Sequence, residues 1–453
     1  MKLNIKNFAK INNADIIIDG ITVIAGENNT GKSTVGKILF ALFNALSDID
    51  NKIFEERVKT IESTNRRIVQ NYISNSDISR SMVARTAFNI TGQIDRRLRE
   101  VIENNWTISI EDVSCFVTDA IKAWQKAVTD FSVENCEDLI NEIYSNVSEI
   151  LSLAEKTIVL EIVSRYFNEV FYSQIQSLSQ RENSEAVLTL EIKGKQEKLF
   201  FENNNCKDYM DEISITHKAI YIDNPFIVDQ LSMFTDLNPM NDLLKDLLRS
   251  KPQDSVLDGV IEVARAKQKL SDVYSTLQSV VDGEIVTSSN NDEFFLKSNN
   301  CKEPILFQNL STGMKSFVIL KMLLEKGCLL EKDVVILDEP EIHLHPQWQI
   351  AYAELIVLLQ KHFDLSVVVT THSPYFVDAI NLFSCKYGSD DRVNYYLSSN
   401  VDNKVQIDCV TKDIDLIYKK MASPIQMLET LRYELNNSER VIRNDRRGNE
   451  RTS

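Results

Sequence analysis

The chain has 453 residues, 43% hydrophobic and 26% charged, which are the proportions of an ordinary globular protein with room for two or three domain-sized units. Its formal net charge of −16 argues against a protein that coats nucleic acid over its whole surface. No apolar run reaches the ~18–20 residues of a membrane span, "MKLNIKNFAK" has no signal-peptide core, and the seven scattered cysteines exclude a Cys-x-x-Cys hook, so a reduced, cytoplasmic setting is expected.

The first elements are short β-branched runs around Gly20 in "DIIIDGITVIAGEN" (15–28), read as strands. They lead directly into "GENNTGKST" (26–34) and then the amphipathic "VGKILFALFNAL". This matches G-x-x-x-x-G-K-[ST] in the strand–loop–helix context that the chemistry needs. Gly26 and Gly31 let the loop curl with its N–H groups inward, and the helix N-terminus adds partial positive charge. Lys32 is expected to reach the β- and γ-phosphates of ATP and Ser33 to ligate Mg²⁺. Asn28, Asn29 and Thr34 complete the expected nucleotide-binding set.

Beyond the loop, helix breakers vanish. The first proline is Pro225, and Gly92 is the only glycine between Gly36 and Gly194, so residues 41–185 are predicted as a mostly helical insertion. No sustained heptad marks a coiled-coil arm. From Arg57 to Glu100 nine Lys/Arg stand against four Asp/Glu, a local +5 that includes Arg66, Arg67, Arg96, Arg97 and Arg99. This reads either as a solvated helix surface or as a face for DNA.

Strand signals return in "AVLTLEIKGKQEKLFFE" (186–202), which turns at Lys193-Gly194, and in "AIYIDNP" (219–225). "NLSTGMKS" (309–316) opens a helix with small residues, a second phosphate cradle carrying Ser311 and Gly313. One chain has one γ-phosphate to hold, so this cradle is expected to act on the ATP of a second copy. "VVILDEP" supplies the strand-end acids: Asp338 for Mg²⁺ and Glu339 to polarise the attacking water. His343 and His345 beside these acids could belong to a metal-hydrolase ligand set, but the phosphate loop favours the nucleotide reading and leaves them in a tight turn closed by Pro346. "VVVTTHSP" ends a further strand on His372, placed to sense the γ-phosphate, and the Arg-rich segment from Arg440 to Arg451 reads as a tail.

The order of these motifs resembles the non-transporter ABC-class ATPases: structural-maintenance (SMC), Rad50, RecF and OLD-nuclease heads. "LSTGMKS", "LDEPEIHLHPQWQ" and "TTHSPYFVDAI" look like the ATPase subunits of bacterial anti-phage systems, the Septu type first and the PARIS type next. The resemblance implies an α/β fold, an ABC-type P-loop head from 1–40 and 186–410, the helical insertion at 41–185, and a C-terminal helix and tail at 411–453. It implies an ATP-sandwiched homodimer, a higher homo-oligomer, and a separate nuclease effector, HNH more than TOPRIM. An ATP-binding scaffold that turns over slowly, or a RecF/SMC-like DNA repair ATPase, stays open as an alternative. Two departures bear on turnover. "STGMK" lacks the usual second glycine, and the middle strand ends on Asp223 and Asn224, with Gln230 only further along. Only about 80 residues follow His372, so no nuclease domain is expected within the chain.

Overall fold

The computed structural model describes residues 1–74, 80–105, 107–127, 136–176, 185–210, 212–232, 238–250, 270–288, 293–298, 300–401, 404–421 and 427–433. The expected Arg-rich tail, Arg440 to Arg451, lies outside the described residues. In chain order the elements are β1 (Lys2–Phe8), β2 (Ile11–Ile17), β3 (Ile21–Gly26), α1 (Lys32–Leu46), α2 (Ile49–Ser74), α3 (Arg80–Asn105), α4 (Ile110–Ala127), α5 (Glu137–Ser152) and α6 (Glu155–Phe171). There follow β4 (Ala186–Ile192), β5 (Lys195–Glu202), β6 (Asn205–Met210), β7 (Ala219–Ile222), α7 (Pro239–Arg249), α8 (Ser271–Val280), β8 (Glu284–Thr287), β9 (Phe294–Lys297) and β10 (Ile305–Leu306). The last are α9 (Thr312–Glu325), β11 (Val334–Asp338), α10 (Pro346–Phe363), β12 (Ser366–Thr371), α11 (Pro374–Tyr387), β13 (Val393–Val401) and β14 (Lys404–Cys409).

Two compact units result: Met1–Ser47 with Val163–Ser453, and Asp48–Ile162. The first is built on an eleven-stranded sheet in the order β6-β5-β4-β1-β2-β14-β13-β3-β12-β11-β7. Its two halves follow from two sequence patterns. β3, β7 and β11 are near-continuous apolar runs buried on both faces, and they pair in parallel with β12 between β3 and β11. β1, β2, β4 and β5 alternate buried and exposed residues and pair antiparallel, with Lys193 (φ 51°) and Gly194 (φ 80°) making the tight turn between β4 and β5.

Register sets the functional edge. Asp338 pairs with Thr370, Thr370 with Ile24, and Leu337 with Ile222, so β3, β7, β11 and β12 end together. Helix α1 lies close against this region: a Cβ added at Gly36 would meet Ile336 Cγ2 at 2.7 Å and Tyr221 at 3.1 Å. The main core joins this sheet to α9, α10 and α11, with Phe317 edge-on to Tyr352 at 5.0 Å.

The second unit is helical. Helices α2 to α5 pack in a ring, α2 on α3, α3 on α4, α4 on α5 and α5 on α2, around Ile61, Val69, Ile94, Val117, Ile143 and Val147. The bounds of this unit differ from the 41–185 read in the sequence. Helix α1 has twelve buried residues and belongs with the sheet. At the other end, Phe167 and Phe171 pack on Phe8 and Phe201, which lie on β1 and β5.

Several arginines of the +5 stretch have partners inside this unit. Arg57 is buried and donates to Leu153 O at 2.8 Å; Arg97 pairs with Asp119 at 2.8 Å; Arg99 pairs with Glu55 and lies over Phe54. Arg66 lies over the Phe88 ring.

The helical core also holds a polar chain. Asn146 donates to Asn65 Oδ1 at 3.1 Å, and Asn65 donates to Asp95 Oδ1 at 3.1 Å, with Asn65 and Asp95 both buried. Burial pushes the Asp95 carboxyl up to about 7, partly offset by the Asn65 donor and reinforced by Glu62. An acid whose folded-state pKa is raised binds its proton more tightly when folded. Its stabilising contribution is therefore full below the unfolded value of 3.8 and is lost as pH rises toward 7. Amide exchange in α2–α5, corrected for its intrinsic rate, is expected to slow by about tenfold or more from pH 8 to pH 5. Asp95→Asn is expected to flatten that dependence, and an equally steep profile in the variant would remove Asp95 as its source.

Candidate active site

The site begins where β3 runs into α1. Gly26 is held against β13, where an added Cβ would lie 2.4 Å from Ser398 O. Asn29 (φ 64°) and Gly31 (φ 79°) take the left-handed backbone that curls the loop inward, and Thr30 Oγ1 donates to Glu27 O at 2.8 Å. Gly31 is the N-cap of α1, so the first free N–H groups of a fifteen-residue helix face the same space.

Lys32 is 4% exposed, and its ammonium donates to Gly26 O at 3.0 Å and to Glu27 O at 2.8 Å. Glu339 Oε1 stands 3.6 Å away. The loop and Glu339 share one cavity of about 340 Å³, lined by Asn29, Gly31, Lys32, Ser33 and Thr34 among others. Asn28 is exposed at the loop tip and does not line it.

Asp338 closes β11 with both carboxylate oxygens in use. Tyr221 Oη donates to Oδ2 at 2.5 Å, and Thr370 Oγ1 donates to Oδ1. Burial, then the Asp338 carboxylate, raises the Tyr221 phenol far above its ordinary range, which keeps it a donor. Glu339 follows at φ 49°, its N–H shared between Thr370 O at 3.0 Å and Thr370 Oγ1 at 3.1 Å. Asp223, at the end of β7, keeps contact with water, yet desolvation and the neighbouring Asp338 push its carboxyl up while Lys37 pulls it down.

His372 is half-exposed between two acids, Nδ1 lying 3.8 Å from Glu339 Oε2 and 3.6 Å from Glu341 Oε1. Glu341 is 2% exposed; its Oε1 accepts from Thr371 Oγ1 and from the His372 N–H at 2.9 Å, while Oε2 has no hydrogen-bond partner among the described residues. Burial pushes the Glu341 carboxyl up against those hydrogen bonds. Gln349 then ties the turn together, donating to Leu344 O at 3.1 Å and accepting from Ser373 Oγ at 2.9 Å.

Ser311 and Gly313 lie apart from the loop cavity. Ser311 caps α9, accepting from the Met314 N–H at 3.4 Å. A Cβ at Gly313 would sit 2.9 Å from Trp348 and 3.0 Å from His343 O, so packing within the chain already demands glycine there. Behind it Lys315 pairs with Asp229 at 2.7 Å and lies over the Phe226 ring. His345 caps α10 and His343 meets Phe226 edge-on; among the described residues no three His, Cys, Asp or Glu side chains form a metal-binding group.

Sequence spacing pointed to Lys32, Asp338, Glu339 and His372, and these converge on one sheet edge. It missed Tyr221, Thr370 and Glu341, which hold those groups. The available signals were a tyrosine and two threonines at strand ends, and the third acid in "DEPE".

A phosphate-binding loop between a parallel strand and a helix, facing an acid pair on the next-but-one strand, defines a P-loop nucleotide-hydrolase head. The chain belongs to the AAA ATPase domain family, whose model matches residues 1–377. It is 32% identical over 115 residues to the Septu protein PtuA of Bacillus thuringiensis, a match covering 22% of this chain and 28% of that relative. Among solved structures, the SMC head domain from Thermotoga maritima aligns over 90% of this chain and 98% of its own, with 10% identity and a TM-score of 0.37. The SMC head bound to the C-winged helix domain of ScpA aligns over 92% and 98%, with 12% identity and a TM-score of 0.37. Among the described residues no helix is long and apolar enough to cross a membrane.

Lys32→Ala is expected to weaken ATP binding by roughly 100-fold or more, since charge-assisted hydrogen bonds to phosphate are lost. Calorimetric titration of the purified variant checks this, and wild-type affinity would reject the loop as a phosphate site.

Proposed function

We propose that the chain binds ATP with Mg²⁺ in the loop cavity and hydrolyses it between two copies, as the ATPase subunit of an anti-phage defence complex. The observation that carries the reading is the approach of Glu339 to Lys32, 3.6 Å apart at one cavity, with the acid pair fixed by neighbouring strands. Lys32 and the loop N–H groups hold the phosphates. Glu339 accepts the proton of the attacking water, and His372 stands beside it on the side the γ-phosphate occupies.

Mg²⁺ fits the donor set. Ser33 offers a hydroxyl at the start of α1 in the loop cavity, which Glu339 also lines, and Asp338 immediately precedes Glu339 at the end of β11. Once bound, the metal neutralises charge on the β- and γ-phosphate oxygens. Ser311 and Gly313, lying apart from the loop, serve the ATP of the facing copy, which makes the dimer the smallest working unit.

The local match to PtuA supports the defence setting. In that setting the ATPase joins into a homo-oligomer larger than a dimer and scaffolds or controls a nuclease encoded as a separate chain, HNH in preference to TOPRIM.

In Glu339→Gln the amide still hydrogen-bonds water but is a poor base. Turnover is expected to fall roughly 100-fold or more, while light scattering with ATP and Mg²⁺ shows a dimer or larger species. Wild-type turnover would remove Glu339 as the base, and a monomer with ATP bound would remove the sandwich.

A further inference from the structure

The loop cavity has a second wall that no phosphate needs. It is formed by the turn leaving α6, where Phe171, Tyr172 and Gln174 line the same space as Asn29, Gly31 and Lys32. The sequence puts two aromatic residues side by side here and treats them differently. Phe171 is packed inward, its ring 5.0 Å from Phe8 and stacked on Phe167. Tyr172 is 69% exposed. A ring needed only to fill space would join the cluster of Phe8, Phe167, Phe171 and Phe201.

The backbone holds Tyr172 in the cavity wall at some cost. Tyr172 (φ 50°) and Ser173 (φ 57°) are consecutive left-handed residues, a conformation rarely adopted by bulky side chains. The turn is pinned from all sides: Ser173 N–H to Asn168 O at 3.0 Å, Gln174 N–H to Phe171 O at 3.0 Å, and Ala9 N–H to Ile175 O at 2.8 Å. Asn204 Oδ1 accepts from both Ile175 and Gln176 N–H at 3.0 Å. On the facing side, Lys10 donates to Asn29 Oδ1 at 2.6 Å, tying the β1–β2 turn to the phosphate loop. The exposed Tyr172 is therefore held by a fixed frame in the wall of a cavity that the loop also lines.

We infer that Tyr172 is the nucleobase-stacking residue of this cavity, receiving the purine of a nucleotide whose phosphates lie on the loop. The inference rests on the nucleotide reading of the loop and adds the base subsite to it. Stacking on an exposed aromatic face is tolerant of the base's edge and contributes through contact area.

The test is calorimetric titration of the full chain with ATP and, separately, with inorganic tripolyphosphate, each with Mg²⁺. Tyr172→Ala is expected to weaken ATP on the order of 10-fold and leave tripolyphosphate unchanged, with Tyr172→Phe binding both as wild type does. The inference is overturned if Tyr172→Ala binds ATP normally, or if it weakens ATP and tripolyphosphate equally, because the ring then only supports the loop. A wild-type chain that binds neither ligand removes the phosphate-loop reading, and the base subsite with it.

Discussion

Thr370 is the residue on which the site depends. Its hydroxyl donates to Asp338, while its carbonyl and hydroxyl oxygens both accept from the Glu339 N–H. One β12 side chain thus fixes two successive acids at the end of β11, and turns the second of them through a left-handed residue. Tyr221 secures Asp338 from the opposite neighbour, β7. Without these donors the two carboxylates would repel and rotate toward water. With them, Glu339 faces Lys32.

Parallel pairing makes this possible. Strands buried on both faces have little freedom of register, because a one-residue slip would move every side chain to the opposite, differently packed face. Asp338 opposite Thr370, and Leu337 opposite Ile222, are consequences of that constraint. The buried turn that follows extends the same logic. Glu341 accepts from Thr371 and His372, so the end of β12 is held by an acid three residues past Asp338. A buried carboxylate with one unpartnered oxygen is expensive to keep, and here it orders the loop carrying His372 between two acids.

Much of this was legible in the sequence where chemistry is local. "GENNTGKST" and "VVILDEP" carry their context with them, a β-branched run before the loop and an apolar run before the acids. Tyr221, Thr370 and Glu341 were not legible because their partners lie 117, 32 and 30 residues away and appear only when strands pair. Gly313 shows a different limit. Its lack of a side chain read as part of a phosphate cradle, yet Trp348 and His343 O press on the same position within the chain. The unit bounds moved for a packing reason too. Residues near 40 and 167 look helical in either unit, and only burial against the sheet assigns them. In the +5 stretch, Arg97 and Arg99 read as surface charge, although each has an acid on another helix.

ATP hydrolysis at this sheet edge depends on where the metal and the γ-phosphate sit relative to Ser33, Asp338 and Glu339. A crystal structure of the chain with a non-hydrolysable ATP analogue and Mn²⁺ in place of Mg²⁺, read by anomalous scattering, measures this directly. It is expected to show the metal on Ser33 Oγ and phosphate oxygens at about 2.1 Å, as for Mg²⁺, with Asp338 in its hydration shell and the γ-phosphate between Lys32 and Glu339. Density for the metal on His343 or His345, or a triphosphate lying away from Lys32, would contradict it.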